Sequence, residues 1–283
     1  MVRSCLKPVL DFLLFSSLFI SGCAVLMLYQ TVRLLHLGNV PDDLFAFVFW
    51  ATMSSYNFHW YLTPGAYSST ERIGWSARHK RLELSLFLFS GLFAAYYLFF
   101  LHAYAGWIGI GVFLTFLYTA PKIPYKPFFY LRRIAVGKTI FLTGVWTYIT
   151  AVLPVVISGD APTGPAVLLI LHRCLLVYAI CLIFDYRDRD QDKQSGIRSL
   201  VVYLDERGND RLFYAVCAAA LLDTFLLLCY RMPLTVVSAL ALPVLITLLL
   251  YPEGKRSKSD YLFYLVLDGL MAFSAVFTTF LWR

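Results

Sequence analysis

GPAVLLILHRCLLVYAICLIF, residues 164–184, runs without a break into DYRDRDQDKQSGIRSL, residues 185–200. The first stretch is 21 residues long, and His172 and Arg173 are its only strongly polar members. As a helix it would be about 30 Å long, the thickness of a bilayer's hydrocarbon core. The second stretch places four carboxylates within eight residues, Asp185 to Asp192. A membrane span that ends abruptly in a charged motif sets the expectation for the whole chain.

Working outward, similar apolar runs recur along all 283 residues. The chain is 60% hydrophobic and only 14% charged, too little charge to cover the surface of a soluble domain of this length. The pattern predicts an all-α, polytopic membrane helix bundle of about nine transmembrane helices, forming a single domain over 1–283. The expected spans are 8–34, 43–62, 84–103, 105–120, 134–157, 164–184, 211–230, 232–251 and 260–282. Tyr104-Ala105-Gly106 and Tyr230-Arg231-Met232-Pro233 are tight links, so the helices they join are antiparallel neighbours.

Charge sets the orientation. The N-terminus, loops 63–83, 121–133, 185–210 and 252–259, and Arg211 at the start of the seventh span carry nineteen of the 24 Lys and Arg residues. Arg33, Arg231 and Arg283 fall on the other side, and Lys138 and Arg173 lie inside spans. This asymmetry predicts a cytoplasmic N-terminus and an outside C-terminus, in a bacterial inner membrane or its equivalent. It also favours an odd number of spans. The Ile20-Ser21-Gly22-Cys23 sequence has the form of a lipoprotein processing box. However, Asp11 interrupts the preceding apolar region and the chain stays apolar to Tyr29, so a retained first helix is expected. The six cysteines contain no C-x-x-C and read as reduced packing residues.

If the sixth helix continues into the acidic motif, Asp185, Asp188 and Asp192 share one face at i, i+3 and i+7. Three carboxylates on one face repel each other unless a cation binds them. A hard oxygen site for Mg²⁺ and a bound phosphate is one reading, with neighbouring Arg and Lys meeting phosphate oxygens. A solvated loop whose Arg and Lys neutralise the Asp residues is the other. An EF-hand does not fit: counted from Asp188, Lys193 stands where Gly is needed and Ser199 where Glu is needed.

The pattern Asp188-x-x-x-Asp192-x-x-x-Gly196-x-x-Ser199, after span six of nine, resembles the second Asp-rich motif of the UbiA superfamily of intramembrane prenyltransferases. Tyr118-x-x-Pro121-Lys122 at the end of the fourth span is similar to the segment that closes the family's fourth helix. Leu131-Arg132-Arg133 before the fifth span, with Lys138 further in, is also similar. Without the Asp-rich motif, an aromatic anchor, a helix-ending proline and a snorkelling lysine would be the favoured reading of the Tyr118 segment.

The sequence also departs from the family. The first motif, N-x-x-x-D-x-x-x-D, would fall at the end of the second span. Asn57 matches its Asn, but Tyr61 and Gly65 occupy the Asp positions. In the family, two Asp motifs hold Mg²⁺ ions against a diphosphate, and the charge on the leaving group must be neutralised. Here Asn57 and His59 offer neutral ligands, and Arg72, Arg78, Lys80 and Arg81 offer direct phosphate contacts. His59 packed beside Trp60 as an interfacial histidine is the alternative reading.

Lys138, His172, Arg173, Asp223 and Asp268 lie within apolar spans, where such residues face a cavity or a partner. Arg173 and Asp223 are at similar depth on adjacent spans, and an ion pair between them is expected. Lys138 either touches a phosphate or reaches the interface. Asp268-Gly269-x-x-Ala272 begins like a phosphatidyltransferase motif, but Phe273 stands in place of its Arg and no further Asp follows.

The resemblance therefore implies transfer of a prenyl group from a polyprenyl diphosphate to an aromatic or related lipophilic acceptor at the cytoplasmic face. It implies Mg²⁺ held by Asp185, Asp188 and Asp192, with Asp188, Asp192 and Tyr118 in catalytic roles. Asn57, Arg78, Lys122, Arg132, Arg133 and Lys138 would bind substrate. Membrane lipids are expected partners and nucleic acid is not. The degenerate first motif keeps open a non-catalytic descendant that binds isoprenoid or lipid, or scaffolds another enzyme. A transporter is disfavoured, because no hydropathy symmetry or pair of interrupted helices is evident.

Overall fold

The computed structural model describes residues 2–63, 70–123, 128, 137–194 and 199–281. Among these residues the fold is all helix, with no strand. Helices α1 (Val2–Phe15) and α2 (Leu18–Leu34) are followed by α3 (Asp43–Tyr61), the short α4 (Glu71–Arg78), α5 (Lys80–Phe100) and α6 (Ala105–Thr119). Next come α7 (Gly137–Thr147), a π-helical segment (Tyr148–Val152), α8 (Leu153–Ser158) and the long α9 (Gly164–Gln194). The chain ends with α10 (Leu200–Tyr203), α11 (Glu206–Leu226), α12 (Leu234–Arg256), a second π-helical segment (Leu262–Leu267) and α13 (Asp268–Leu281).

Six helical stretches are long and apolar enough to cross a membrane: Lys80–Phe100, Thr139–Ser158, Gly164–Asp190, Glu206–Tyr230, Leu234–Arg256 and Leu262–Thr279. The pair Leu6–Phe15 and Leu18–Leu34 makes a seventh if it is counted as one span. The sequence-based count of nine is not reached on length and apolarity. The second half of α3 is too polar, with Ser54, Ser55, Asn57 and His59, and α6 has only 15 residues. The protein is nonetheless a polytopic helical membrane bundle, whose outward faces carry Leu92, Phe99, Phe113, Leu222 and Leu249 in exposed positions.

The expected straight span 8–34 is bent by 59° at Ser16-Ser17, where Ser17 adopts a left-handed conformation (φ 69°, ψ 11°). On α1, Leu6, Val9, Phe12 and Leu13 are exposed along one side. Polar contacts hold the helix elsewhere: Lys7 Nζ donates to Glu71 at 3.0 Å, and Tyr261 Oη donates to Asp11 at 2.5 Å. An apolar face and a polar face on a helix angled to its span suit the membrane interface.

Helix α9 packs against α7, α11 and α12; α13 packs against α12 and α2; and α2 meets the π segment that follows α7. These contacts close a ring of helices, with α3 and α5 paired on its flank. One close approach fixes α12 against α9: a Cβ on Gly254 would overlap Ile183 Cγ2. The described cysteines, Cys23, Cys174, Cys181, Cys217 and Cys229, are all free thiols.

The expected Arg173–Asp223 pair does not form. Arg173 is buried and donates through Nη2 to Gln30 Oε1 at 2.8 Å. Gln30 in turn donates to Ser274 and Thr278 on α13. Both Asp223 oxygens lack a hydrogen-bond partner among the described residues. Similar depth on neighbouring helices was not enough, because Arg173 turns to Gln30 on α2 instead.

Candidate active site at the charged end of the bundle

The loops richest in Lys and Arg meet at one end of the bundle. There α4 is tied to the segment before the last span: the Arg72 amide donates to Asp260 Oδ2 at 2.7 Å. The Arg72 guanidinium, 1% exposed, contacts Glu83 Oε1 at 3.4 Å and stacks on Trp60 with Cζ 4.2 Å from the ring centroid. Burial lowers its pKa to about 10, which still leaves it charged at neutral pH. Lys80 caps the end of α3, donating to the carbonyls of Trp60, Tyr61 and Thr63 at 2.5, 2.7 and 3.0 Å. A cation at this C-terminus satisfies orphan carbonyls and complements the helix dipole. Arg72 and Lys80, read from the sequence as phosphate contacts, are therefore occupied in holding the structure together.

The acidic motif, placed by the sequence reading in the loop 185–210 with helical continuation only as a condition, continues α9 as helix to Gln194. Asp185 is buried and accepts a hydrogen bond from Thr139 Oγ1 on α7. Asp188 is partly exposed and accepts from Arg187 Nε at 2.9 Å. Asp192 is buried. Arg187 is itself clamped: Nη2 donates to Tyr264 Oη at 3.3 Å, Nη1 lies 3.9 Å from Asp260, and the guanidinium sits 4.3 Å from the Phe263 ring centroid.

On the opposite side, Lys122 Nζ donates to His59 Nε2 and to Thr63 Oγ1, both at 2.6 Å, and lies 5.5 Å from the Trp60 ring centroid. Tyr118 stacks on His59 with centroids 5.0 Å apart and planes 10° from parallel. Trp60 meets Tyr264 edge to face at 6.0 Å. Contacts thus run from the Lys122 ammonium through the Trp60 and Tyr264 rings to Arg187.

The other expected substrate contacts separate from this group. Asn57 is fully buried and donates to Ser16 O at 3.0 Å and Met53 O at 2.8 Å, so its amide fastens α3 to the bend between α1 and α2. Only its Oδ1 lacks a partner among the described residues. Arg78 is exposed at the end of α4. Arg132 and Arg133 lie outside the described residues, as does the side chain of Lys138, whose backbone is in the first turn of α7. Sequence reasoning missed Glu83, Arg187, Asp260 and Tyr264 as parts of one network. Their partners are distant in sequence, and a single sequence carries no signal for such pairings.

The described residues assemble no group of three or more His, Cys, Asp or Glu suited to a metal. Mg²⁺, however, is commonly held by one or two carboxylates with substrate phosphates completing its shell. Asp188 and Asp192, one helical turn apart, fit that mode of binding. They do not form a preassembled protein cage.

The class of protein defined so far is an all-α membrane bundle with acids, a fixed lysine and aromatic rings gathered at one end. Residues 76–274 match the UbiA prenyltransferase family, and the chain belongs to that family. No curated protein and no solved structure matches the chain significantly. Family membership implies intramembrane prenyltransferase activity in general, a polyprenyl diphosphate substrate and a lipid environment.

Proposed function

We propose that the protein, acting as one membrane domain, transfers a prenyl group from a polyprenyl diphosphate to a lipophilic aromatic acceptor at its charged end. The observation that carries this reading is the run of contacts from Lys122 through the Trp60–Tyr264 pair to Arg187 and Asp188. An ammonium and carboxylates joined by such a run can hold a metal-bound diphosphate, and its aromatic faces can shield an allylic cation. The excess of Lys and Arg at this end favours the cytoplasmic side.

In this reading Lys122, held by His59 and Thr63, meets diphosphate oxygens. Asp188 and Asp192 hold Mg²⁺, and the Asp185–Thr139 hydrogen bond fixes the helix that carries them. Mg²⁺, when bound, neutralises charge on the diphosphate and improves it as a leaving group. Tyr118, stacked on His59, forms part of the aromatic wall. Arg132, Arg133 and Lys138 remain proposed phosphate contacts, and Arg78 a peripheral one.

The end of α3 gives specific support to the second reading, a non-catalytic binder. Lys80 caps the helix where the family places its first carboxylates. Incubating the purified protein with labelled farnesyl or geranylgeranyl diphosphate, Mg²⁺ and phenolic acceptors separates the two readings. Prenylated product that disappears in Asp188→Asn and Asp192→Asn supports transfer. Mg²⁺-dependent binding without product supports the binder, and neither binding nor product removes both.

A further inference from the structure

Glu206 and Asp210 stand four residues apart at the start of α11, on one face, where like charges repel. Lys255, near the end of α12, answers both: its Nζ lies 2.9 Å from Glu206 Oε1 and 2.9 Å from Asp210 Oδ1. Tyr251 Oη donates to the same Asp210 oxygen at 2.7 Å, and Tyr186 Oη to the same Glu206 oxygen at 3.3 Å. Each carboxylate is thus anchored through one oxygen. Glu206 Oε2 and Asp210 Oδ2 receive no hydrogen bond among the described residues. A clasp between α11 and α12 needs only the two oxygens that Lys255 meets, and it leaves the other two without a use.

Both carboxylates line a pocket of about 270 Å³, together with Tyr186, Tyr214, Tyr251 and Arg256. That is close to the lower end for small-molecule sites, about 300 Å³. Phenol rings form its walls: Tyr214 meets Tyr251 edge to face at 5.7 Å, and Lys255 Nζ lies 5.0 Å from the Tyr186 centroid. Arg256 is exposed and makes no hydrogen bond or ion pair among the described residues. Two acids, Lys255 and Arg256 sum to no net charge, which suits a ligand carrying both signs. A divalent metal would need further oxygen ligands and would meet the Lys255 ammonium at both carboxylates. None of these residues belongs to the candidate active site. The pocket lies where α11 and α12 enter the bilayer, since the spans Glu206–Tyr230 and Leu234–Arg256 begin and end at it. Leu242, Leu245 and Leu249 are exposed on α12, and Leu249 and Leu242 precede Arg256 by seven-residue steps on its face. An apolar strip thus leads from Arg256 into the membrane.

We propose that this pocket binds the headgroup of phosphatidylethanolamine, a lipid with one phosphate and one primary ammonium. The ammonium donates to Glu206 Oε2 and Asp210 Oδ2, with the Tyr214 and Tyr251 rings beside it. The phosphate meets Arg256 and the third N–H of Lys255, whose other two are taken by the carboxylates. The acyl chains lie along Leu249 and Leu245. A choline headgroup suits the rings but has no N–H to give the free oxygens. A glycerol headgroup brings a phosphate beside two carboxylates and no cation to meet them. The proposal does not depend on the prenyl-transfer reading.

Native mass spectrometry of the full-length protein, delipidated in detergent and titrated with dioleoyl phosphatidylethanolamine, phosphatidylcholine or phosphatidylglycerol, tests this. The wild type is expected to bind phosphatidylethanolamine about tenfold more tightly than either of the others. The double variant Glu206→Gln, Asp210→Asn should lose that preference. Arg256→Gln, which removes no contact within the protein, should weaken phosphatidylethanolamine binding by about tenfold. Soluble phosphoethanolamine should compete only weakly; competition as strong as the lipid's would assign the pocket to a free zwitterion and overturn the lipid assignment. Equal affinity of the wild type for the three lipids, or a choline lipid that matches phosphatidylethanolamine, overturns the proposal before any variant is made. A double variant that keeps the preference, or an Arg256→Gln protein of unchanged affinity, also overturns it. If the double variant does not fold, the wild-type comparison and Arg256→Gln decide the matter.

Discussion

Lys122 Nζ lies 2.6 Å from His59 Nε2, so His59 accepts this hydrogen bond as a neutral imidazole. An ammonium that would otherwise sweep through many rotamers is thereby held over Trp60. His59→Ala should weaken the use of prenyl diphosphate by about tenfold, the scale of one hydrogen bond to a charged group. The loss should appear as a raised KM for the diphosphate, with thermal stability nearly unchanged. His59→Gln, which restores an acceptor at similar reach, should recover part of it.

Arg72 is buried together with Glu83 and against Trp60. Arg72→Ala leaves the Glu83 charge without its main partner. The expected cost is about 3–5 kcal/mol, read from denaturant titration in mild detergent. Arg72→Lys should also destabilise, since an ammonium cannot reproduce the planar stack on Trp60. Equal stability of wild type and Arg72→Ala would show that the network contributes nothing.

The Asp260 carboxyl is pushed above the ordinary carboxylate range, chiefly by burial. The Arg72 amide and the Arg187 and Arg72 charges pull it back only in part. The folded state therefore holds the Asp260 proton more tightly than the unfolded chain does. This contribution is complete below the unfolded value, near 4, and is lost as pH rises through the higher folded value. Over the window that opens at about pH 4 and runs up through the raised folded value, the melting temperature of the wild type should fall relative to that of Asp260→Asn. A constant difference across that window would contradict the burial effect.

Helices α9 and α12 meet where Gly254 faces Ile183. Gly254→Ala should destabilise by about 1–3 kcal/mol through overpacking. Ile183→Ala in the same chain should restore much of the loss, because the obstruction is that side chain's Cγ2. Additive penalties in the double variant would place the strain elsewhere.

Helix type and the tight link that packs α11 against α12 were legible, because each depends on local periodicity and turn chemistry; the continuation of α9 into the acidic motif was open in the sequence, where the same residues also read as a charged loop. The family was legible through Asp188, Asp192 and Tyr118-x-x-Pro121-Lys122, a spacing pattern that survives without tertiary information. The roles of Arg72 and Lys80 were not. A cation in a loop reads the same whether it meets a phosphate, a helix end or a buried glutamate. Arg173 shows the same limit from inside the membrane. Its depth was readable, but its choice of Gln30 depends on the rotation of two helices, which no single-residue property encodes. The span count fell short at α3, where Ser54, Ser55, Asn57 and His59 serve the packing and the site at the expense of apolarity.

The bend at Ser16-Ser17 has a consequence for biogenesis. The Ser16 carbonyl receives its hydrogen bond from Asn57, 41 positions later in the chain. During co-translational insertion the first segment must therefore emerge before its partner exists. The elbow is completed only when the following helix arrives, and until then the N-terminal segment is free to behave as the single straight hydrophobic stretch its residues describe.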